Sequence, residues 1–400
     1  MQYVRIRLRQ HGVILLRSRD LEGSNLKNHR GFYDSRWPIF NKAFISPMAS
    51  STKSKSFPYY PLVAPGSIRL IELRPASTAS QGIQCSLLHT TLADCQVNPN
   101  LKYTALSYVW GDQNNLRLIS IDGVPIQVTA NLHTALRDIR HCGRASKIWV
   151  DAICIDQSNT EERNHQVQQM RSIYASAAET IIYLGPSRTD NTVIVFNAAR
   201  ELENKQRSSF RRWPNIFTTL ASHVSKTGVI DTLALVQKSN KSASKIRVRD
   251  WFLSNILDRP WFTRVWVFQE LVFSQNPWVQ CGIHILSWDN FMAALFDESL
   301  LTLPDLEQPG NPINQPDHSL IPGSSLNQSE DRFKLGIQMH KAHVYHQESS
   351  DEKNVTLHEV LQLRRGAGAC DPRDMVFAHV GFAHDGLLGD ELLFIDYQKT

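Results

Sequence analysis

Two short apolar runs on either side of one amphipathic stretch restrict the folds open to this chain. Residues 147–151 (KIWVD) and 180–184 (TIIYL) have the length and composition of buried β-strands. Between them, apolar side chains recur at helical spacing on one face, at Val167, Met170, Tyr174 and Ala177. A strand, a helix and a strand of these lengths form a right-handed βαβ unit, so we predict an α/β fold in which the two strands are adjacent and parallel.

An antiparallel elaboration is predicted on the N-terminal side of this unit. Residues 68–73, 83–88 and 103–108 have the composition of strands. Asp122 and Gly123 lie between two apolar runs, where a two-residue turn requires positive φ at both positions. We therefore expect a β-hairpin around this pair, added to a parallel sheet that is flanked by helices.

Charge and proline content divide the chain into several parts. Residues 1–57 carry a net charge of +8, whereas the rest of the chain sums to −3. We predict that 1–57 form a disordered basic tail that is dispensable for folding, with Met48 as an alternative start and a mitochondrial targeting segment as a second explanation. The other predicted parts are a folded domain over 67–290 with a basic, solvated insertion at 204–249, a proline-rich linker at 303–331 and a helical extension over 332–400.

Composition also disfavours several classes of protein. No run approaches the ~20 uncharged apolar residues that a transmembrane helix needs, so we expect no membrane span. Six cysteines without a C-x-x-C pair argue against a disulfide framework and a thiolate zinc site, and they favour the cytoplasm. Because the folded part is slightly acidic, nucleic acid is not an expected partner, and DNA binding by the basic insertion is a minor alternative. We predict no resident metal or cofactor, since the phosphate-binding and metalloprotease motifs are absent.

The most informative stretch is RPWFTRVWVFQELVFS, which begins at Arg259. The residues after Pro260 are apolar on nearly every side of a helix, which predicts one buried helix. Glu270 lies within it, and an ionised carboxylate in a core is costly unless it is paired or faces a polar cavity. Two interpretations stay open: an ion pair with Arg259, Arg264 or Arg163, and a functional carboxylate at the base of a pocket.

Other polar residues near strand ends have both structural and functional explanations. Asp151 ends a predicted strand at the edge where α/β sheets place ligands, but an ion pair with Arg163 is a simpler role. Asp112 follows Gly111 and has the position of a turn residue. Trp110 is more typical of a core than of a binding platform.

Three sequence blocks carry a family resemblance. They are ALSYVWGD at 105–112, the segment 148–185 that begins IWVDAICIDQ, and RPWFTRVWVFQE at 259–270. In this order they resemble the fungal heterokaryon incompatibility (HET) domain, and the resemblance covers about 67–290. DPRDMVFAHVGF and IDYQKT resemble elements that often follow this domain, so we expect a short or truncated member of the family. Phe262 stands where many members carry a second tryptophan.

The resemblance implies a role in fungal self/non-self recognition that ends in programmed cell death. HET domains have been likened to Toll/interleukin-1 receptor (TIR) domains, which are flavodoxin-like α/β modules, so a sheet of that kind is expected. In enzymatic TIR domains a glutamate in a W-x-x-x-E setting supports cleavage of NAD at the nicotinamide–ribose bond. Trp266 and Glu270 have that spacing here, which makes NAD a possible substrate rather than a cofactor.

For such an enzyme, the resemblance implies Glu270 as the catalytic residue. We expect it to approach Ser107–Asp112, the loop after the first motif strand. The substrate-binding candidates are Ser107, Tyr108, Trp110, Gly111, Asp112, Asp151, Arg163 and Arg264. The competing hypothesis is a non-catalytic signalling module that self-assembles or binds protein partners, with Glu270 in a structural role.

Overall fold

A computed structural model describes the chain in segments: 3–8, 12–17, 57–78, 80–188, 191–206, 245–297, 300–302, 326–348, 356–364, 367–382 and 395–398. The chain divides into two compact units, Met1–Pro61 and Leu62–Thr400. In the first unit, β1 (Tyr3–Leu8) and β2 (Gly12–Arg17) pair as an antiparallel ribbon. Both segments are rich in Val, Ile and Leu, which favour strands. This ribbon differs from the disordered tail that was predicted for residues 1–57. Residues 18–56, which include Met48, lie outside the described residues.

The second unit is built around one large mixed sheet. Its strands are β3 (Ser67–Leu73), β4 (Gln84–Thr91), β5 (Thr104–Tyr108), β6 (Leu116–Ile121), β7 (Val124–Thr129), β8 (Ser146–Trp149), β9 (Glu179–Tyr183), β11 (Pro277–Cys281) and β12 (His284–Ser287). Two further strands, β10 (Lys245–Arg247) and β13 (Leu300–Thr302), form a separate antiparallel pair. Nine strands hydrogen-bond in the order β12-β11-β9-β5-β8-β3-β4-β6-β7.

Helices flank this sheet, and further helices follow its last strand in the chain. They are α1 (Leu92–Val97), α2 (Ala130–Ile139), α3 (Asp151–Cys154), α4 (Thr160–Gln168), α5 (Met170–Ser176), α6 (Thr192–Gln206), α7 (Val248–Asn255), α8 (Val267–Val272), α9 (Trp288–Phe296), α10 (Leu326–Glu348), α11 (Leu357–Leu363) and α12 (Asp374–Val380). Short 3₁₀ helices cover Pro99–Leu101 and Pro260–Thr263. Among the described residues, no helix combines the length and apolar character that crossing a membrane requires.

The centre of the sheet is parallel. β11, β9, β5 and β8 run in one direction, with Ser107 of β5 opposite Ile182 of β9 and Ala105 opposite Trp149 of β8. The two strands predicted to be neighbours, β8 and β9, are parallel as expected, but they are not adjacent. β5, which comes before both in the chain, lies between them and pairs with each. The prediction of adjacency is therefore wrong, since the crossover from β8 to β9 passes over one intervening strand.

A mixed part of the sheet, in which only β4 and β6 pair in parallel, continues on the other side of β8. β3 pairs antiparallel with both β8 and β4, and β6 and β7 form the outer hairpin. Asp122 and Gly123 form its turn with φ of 49° and 80°, which confirms the predicted hairpin. Arg69 of β3 is fully buried and donates to both carboxylate oxygens of Glu162 at 2.6 and 2.9 Å. This pair joins β3 to helix α4.

The segment predicted as one buried helix is divided in two. Pro260–Thr263 form a 3₁₀ helix, Arg264 is extended, and α8 begins only at Val267. The break occurs because the backbone of this region pairs elsewhere: Val265 N–H donates to Gly368 at 3.0 Å, and Gly368 N–H donates to Thr263. All six residues of α8 are buried, as the apolar pattern predicts.

Two predicted boundaries move. The insertion expected at 204–249 lies outside the described residues over 207–244, but Val248 is buried in the main apolar cluster and α7 begins there, so the core resumes before 249. Helix α10 begins at Leu326, inside the linker expected at 303–331, whose stretch 303–325 lies outside the described residues. The described part of 332–400, predicted as a helical extension, contains most of α10 together with α11 and α12.

Candidate functional site

Glu270 lies against the last residues of the central strand β5. The Ser107 hydroxyl, on β5, donates to Glu270 Oε2, and the Trp261 indole N–H donates to the same hydroxyl at 2.7 Å. Because the indole occupies a lone pair of Ser107 Oγ, the hydroxyl proton is directed at the carboxylate. The expected approach of Glu270 to the first motif strand is thus found at Ser107.

The surroundings of Glu270 disfavour its charged form. The residue is only 4% exposed, and burial raises the pKa of its carboxyl from 4.5 to about 7. The Arg264 guanidinium and the Ser107 hydrogen bond oppose this shift, whereas the neighbouring Asp151 carboxylate adds to it. The carboxyl of Glu270 therefore holds its proton to a higher pH than an exposed glutamate does.

None of the three arginines proposed as ion-pair partners comes within 4 Å of the Glu270 carboxylate in the described part of the chain. Arg259 donates to the carbonyl oxygens of Leu184 and Pro186 instead, at 3.1 and 3.0 Å. The Arg163 guanidinium lies 4.4 Å from the centre of the Tyr397 ring. Arg264 donates to the Tyr108 carbonyl oxygen, so it neighbours Glu270 without a direct salt bridge. The close ion-pair interpretation is therefore not realised.

Asp151 forms the second acidic group of the site. It begins α3 directly after β8, and its carboxylate accepts hydrogen bonds from the Trp110 indole N–H and the Ala152 amide, both at 2.7 Å. Burial nevertheless raises the pKa of Asp151, against the effect of these donors and of Arg264. The predicted pairing of Asp151 with Arg163 is wrong, since the Trp110 side chain takes that place. Trp110 thus acts as a hydrogen-bond donor rather than as a core residue.

The remaining candidates divide between this site and the turn beside it. The buried Tyr108 hydroxyl has no hydrogen-bond partner within the described residues, and burial together with Asp151 raises its pKa. Gly111 has φ of 77°, a conformation that favours glycine. Asp112 is exposed and accepts from the Asn114 amide at 2.9 Å, as a turn residue does. Ser107, Tyr108, Trp110, Asp151, Arg264 and Glu270 therefore come together, whereas Asp112 and Arg163 lie apart from them.

Three residues of the site were not singled out from sequence. Trp261 orients Ser107 from within the third motif block. Burial raises the pKa of Asp374, at the start of α12, and hydrogen bonds from Tyr397 and Trp266 and the charge of Arg264 oppose this shift. Tyr397 donates its hydroxyl to Asp374 at 2.6 Å. The DPRD and IDY elements contain two of these residues, but nothing in their sequence indicates where they dock.

The arrangement can hold a cation or a developing positive charge better than an anion, since two buried carboxylates face one arginine. In the described residues, no group of three or more histidine, cysteine, aspartate or glutamate side chains could hold a metal ion. A shallow cavity of about 290 Å³ lies elsewhere, between Cys95, Lys102 and Gln275, and contains none of the candidate residues.

Comparison with known proteins finds a family match over the part of the chain that carries this site. Residues 103–270, which run from the start of β5 to Glu270, match the family model of the heterokaryon incompatibility protein (HET). This segment is similar to a HET domain. The two ends of the matched segment are the two groups that meet at the site, β5 with Ser107 and α8 with Glu270.

A curated relative extends the match. The chain is 28% identical over 249 residues to "Heterokaryon incompatibility protein 6, OR allele" of Neurospora crassa, an alignment that covers 58% of this chain and 35% of the relative. The chain thus aligns with about a third of the relative's length. No solved structure matches the chain.

Proposed function

We propose that this protein acts in fungal heterokaryon incompatibility, as a cytoplasmic effector of self/non-self recognition that leads to cell death. The support is the HET domain over 103–270 and the relative named for heterokaryon incompatibility. Because the chain aligns with about a third of that relative, the proposal concerns the activity of the HET domain itself.

We further propose that the HET domain cleaves NAD at the nicotinamide–ribose bond, with Glu270 as the catalytic residue. The observation that carries this proposal is the position of Glu270 at the carboxyl end of β5, in contact with Ser107. The parallel strands β5, β8, β9 and β11 are the first to the fourth in the chain, and they lie side by side in the order 2-1-3-4. Flavodoxin-like sheets have the same order, which supports the proposal. The connections after β5 and β9 leave in opposite directions, and ligands of open α/β sheets bind at such a point.

The chemistry of the bond fits one carboxylate. Cleavage develops positive charge on the ribose, which an ionised Glu270 stabilises. Water adds to the ribose carbon, the C–N bond breaks with its electron pair going to the nicotinamide ring, and the proton of water is released. Neutral nicotinamide leaves without a general acid, because the ring is a cation in the substrate. The Ser107 hydroxyl keeps Glu270 aimed at the end of β5.

Regulation of this activity would control the access of the substrate to Glu270. With 4% of its surface exposed, the residue meets a substrate only after the neighbouring segments move. We expect self-assembly or a protein partner to favour that opening, so activity should rise with protein concentration.

The test is consumption of NAD by purified, concentrated protein, followed through release of nicotinamide. Glu270→Gln should abolish the reaction while the protein stays folded, because the amide preserves the shape and removes the charge. A matched control is Glu179→Gln, since Glu179 accepts the Thr104 hydroxyl at 2.9 Å at the other end of the same strand β5. Equal NAD consumption by wild type and Glu270→Gln would refute the catalytic role.

A non-catalytic signalling module is the second candidate. The near-complete burial of Glu270 favours it. In that case neither variant changes NAD levels, and Glu270→Gln affects cell death only as far as it alters stability.

A further inference from the structure

The Trp261 side chain is held in place by the structure around it. It lies in the 3₁₀ helix Pro260–Thr263 and is fully buried. Arg259, directly before this helix, donates to two carbonyl oxygens that follow β9, which anchors the start of the helix. The Trp261 ring packs edge-on against Phe262 with ring centres 5.0 Å apart, and its centre lies 6.4 Å from that of Trp288. These contacts restrain the orientation of the indole.

The indole N–H determines which way the Ser107 hydroxyl points. Trp261 Nε1 donates to Ser107 Oγ at 2.7 Å, and an indole nitrogen can only donate. Ser107 Oγ therefore accepts this bond, and its single proton goes to Glu270 Oε2. Within the described residues the Ser107 hydroxyl has no third partner, so a protonated Glu270 that donated to Ser107 would leave the hydroxyl proton without an acceptor. The arrangement thus matches an ionised Glu270.

The two carboxylate oxygens of Glu270 have different surroundings. Oε2 accepts the Ser107 hydroxyl. Oε1 accepts no hydrogen bond from the part of the chain that the structure describes. The backbone of Glu270 is held by α8, since its amide donates to the Trp266 carbonyl oxygen at 3.2 Å. With the backbone and Oε2 both fixed, Oε1 is the oxygen left to face the ribose in the cleavage proposed above.

We propose that Trp261 and Ser107 are positioning residues for Glu270: the indole aligns the hydroxyl, the hydroxyl holds Oε2, and Oε1 faces the substrate. Neither residue touches the reacting bond in this scheme. The inference deepens the function proposed above and rests on it for the catalytic readout alone, because the alignment of Glu270 exists without NAD.

The other charged and titratable groups around α8 are the same in every variant considered below. Those that interact electrostatically with Glu270 are Arg264, Asp151, Tyr108 and Tyr174. A change in the titration of Glu270 therefore reports the hydrogen bond that a variant removes. The remaining groups contact other residues in and directly after the helix: Arg171 of α5, His343 and His346 of α10, Arg364 of α11 and His379 of α12.

The test is the titration of Glu270 in the full chain without NAD, followed by NMR of labelled glutamate carboxyls, with Glu270→Gln to identify the signal. Burial raises the pKa of Glu270 to about 7, and the Ser107 hydrogen bond opposes that rise. Ser107→Ala removes the bond and should raise the pKa further, by about one unit. Trp261→Phe leaves the hydroxyl unaligned and should raise it by about half a unit. Ser107→Thr keeps the hydroxyl and should titrate as wild type does.

Trp288→Phe is the matched control. Trp288 is a buried neighbour of Trp261, but its indole N–H donates to His340 at 3.1 Å, so its loss should leave the titration of Glu270 unchanged. If NAD is cleaved, Trp261→Phe should lower kcat about tenfold and change KM by less than about twofold, because a misaligned carboxylate weakens stabilisation of the transition state rather than binding. Trp288→Phe should change neither constant.

A second measurement needs no tryptophan substitution, should Trp261→Phe fail to fold. In wild type the indole N–H resonance of Trp261 should shift as Glu270 ionises, because both groups bind the Ser107 hydroxyl, and Ser107→Ala should abolish this response. An indole resonance that does not respond overturns the proposal, and so does a Glu270 titration that is the same in wild type and folded Trp261→Phe. An equal shift in Trp288→Phe also overturns it, since packing alone would then explain the change. Absence of NAD cleavage with the expected titrations rejects only the catalytic function.

Discussion

Glu270→Gln should change how the stability of the protein depends on pH. Burial raises the pKa of Glu270 in the folded state to about 7 from its ordinary value of 4.5. The folded protein therefore binds a proton between these values that the unfolded chain has released. Its contribution to stability is fully present below pH 4.5 and is lost as pH rises through 7. The glutamine side chain has no such titration.

The size of the effect follows from this difference in pKa. One pH unit corresponds to ~1.4 kcal/mol, so wild type should lose about 2–3 kcal/mol relative to Glu270→Gln between pH 5 and pH 8. Screening by solvent does not reduce this free-energy difference, since Glu270 is only 4% exposed. Burying the glutamine amide adds a cost that is the same at every pH and cancels when the two pH curves are compared.

Urea denaturation of both proteins from pH 5 to pH 8.5 measures this difference. Ser107→Ala is a useful companion, because loss of the hydroxyl that stabilises the ionised carboxylate should move the window to higher pH. Curves that run parallel, with Glu270→Gln less stable by a constant ~3–5 kcal/mol, would refute the reasoning, since that is the result expected for a carboxylate ionised throughout in a buried ion pair.

Three further changes test the fold around the site. Arg69→Met strands the Glu162 carboxylate in the core and should cost about 3–5 kcal/mol in urea denaturation, and a loss below ~1 kcal/mol would contradict the buried pairing. Gly123→Ala forces a side chain into φ of 80° in the β6–β7 turn and should lower stability by about 1–2 kcal/mol, whereas an unchanged thermal midpoint would argue for a different turn. Iodoacetamide at pH 8 should label the exposed Cys142 and Cys370 in the native protein but not Cys85 or Cys154, whose pKa values burial raises to about 12; mass spectrometry detects either pattern.

Local patterns in the sequence predict the individual strands and turns of this fold better than they predict which strands pair with each other. The β6–β7 turn follows from Asp122 and Gly123 alone, and the parallel direction of β8 and β9 follows from the helices between them. Their separation by β5 depends on a pairing between distant parts of the chain, which no local pattern contains. The apolar run from Trp261 to Phe273 predicts burial correctly, but its helix is interrupted because Gly368, about a hundred residues later, takes the backbone hydrogen bonds at Val265 and Thr263.

The same distinction applies to the site. The expected approach of Glu270 to residues 107–112 is found at Ser107. The absence of a close ion pair could not be predicted, since three arginines were available and each found a different partner. The segment that contains Asp374 and Tyr397 packs beside α8, and this packing depends on surface shape that a linear pattern does not encode.

The position of β3 has a practical consequence for work with fragments of this chain. The family match begins at residue 103, yet β3 (Ser67–Leu73) lies inside the sheet and pairs with β8 through Ile71 and Ile148. A fragment of 103–270 would expose the backbone edge of β8, next to the buried Trp149, and leave Glu162 without Arg69. An open, apolar strand edge recruits other chains. Such a fragment should therefore aggregate through intermolecular strand pairing, which could be mistaken for the self-assembly proposed for the intact protein.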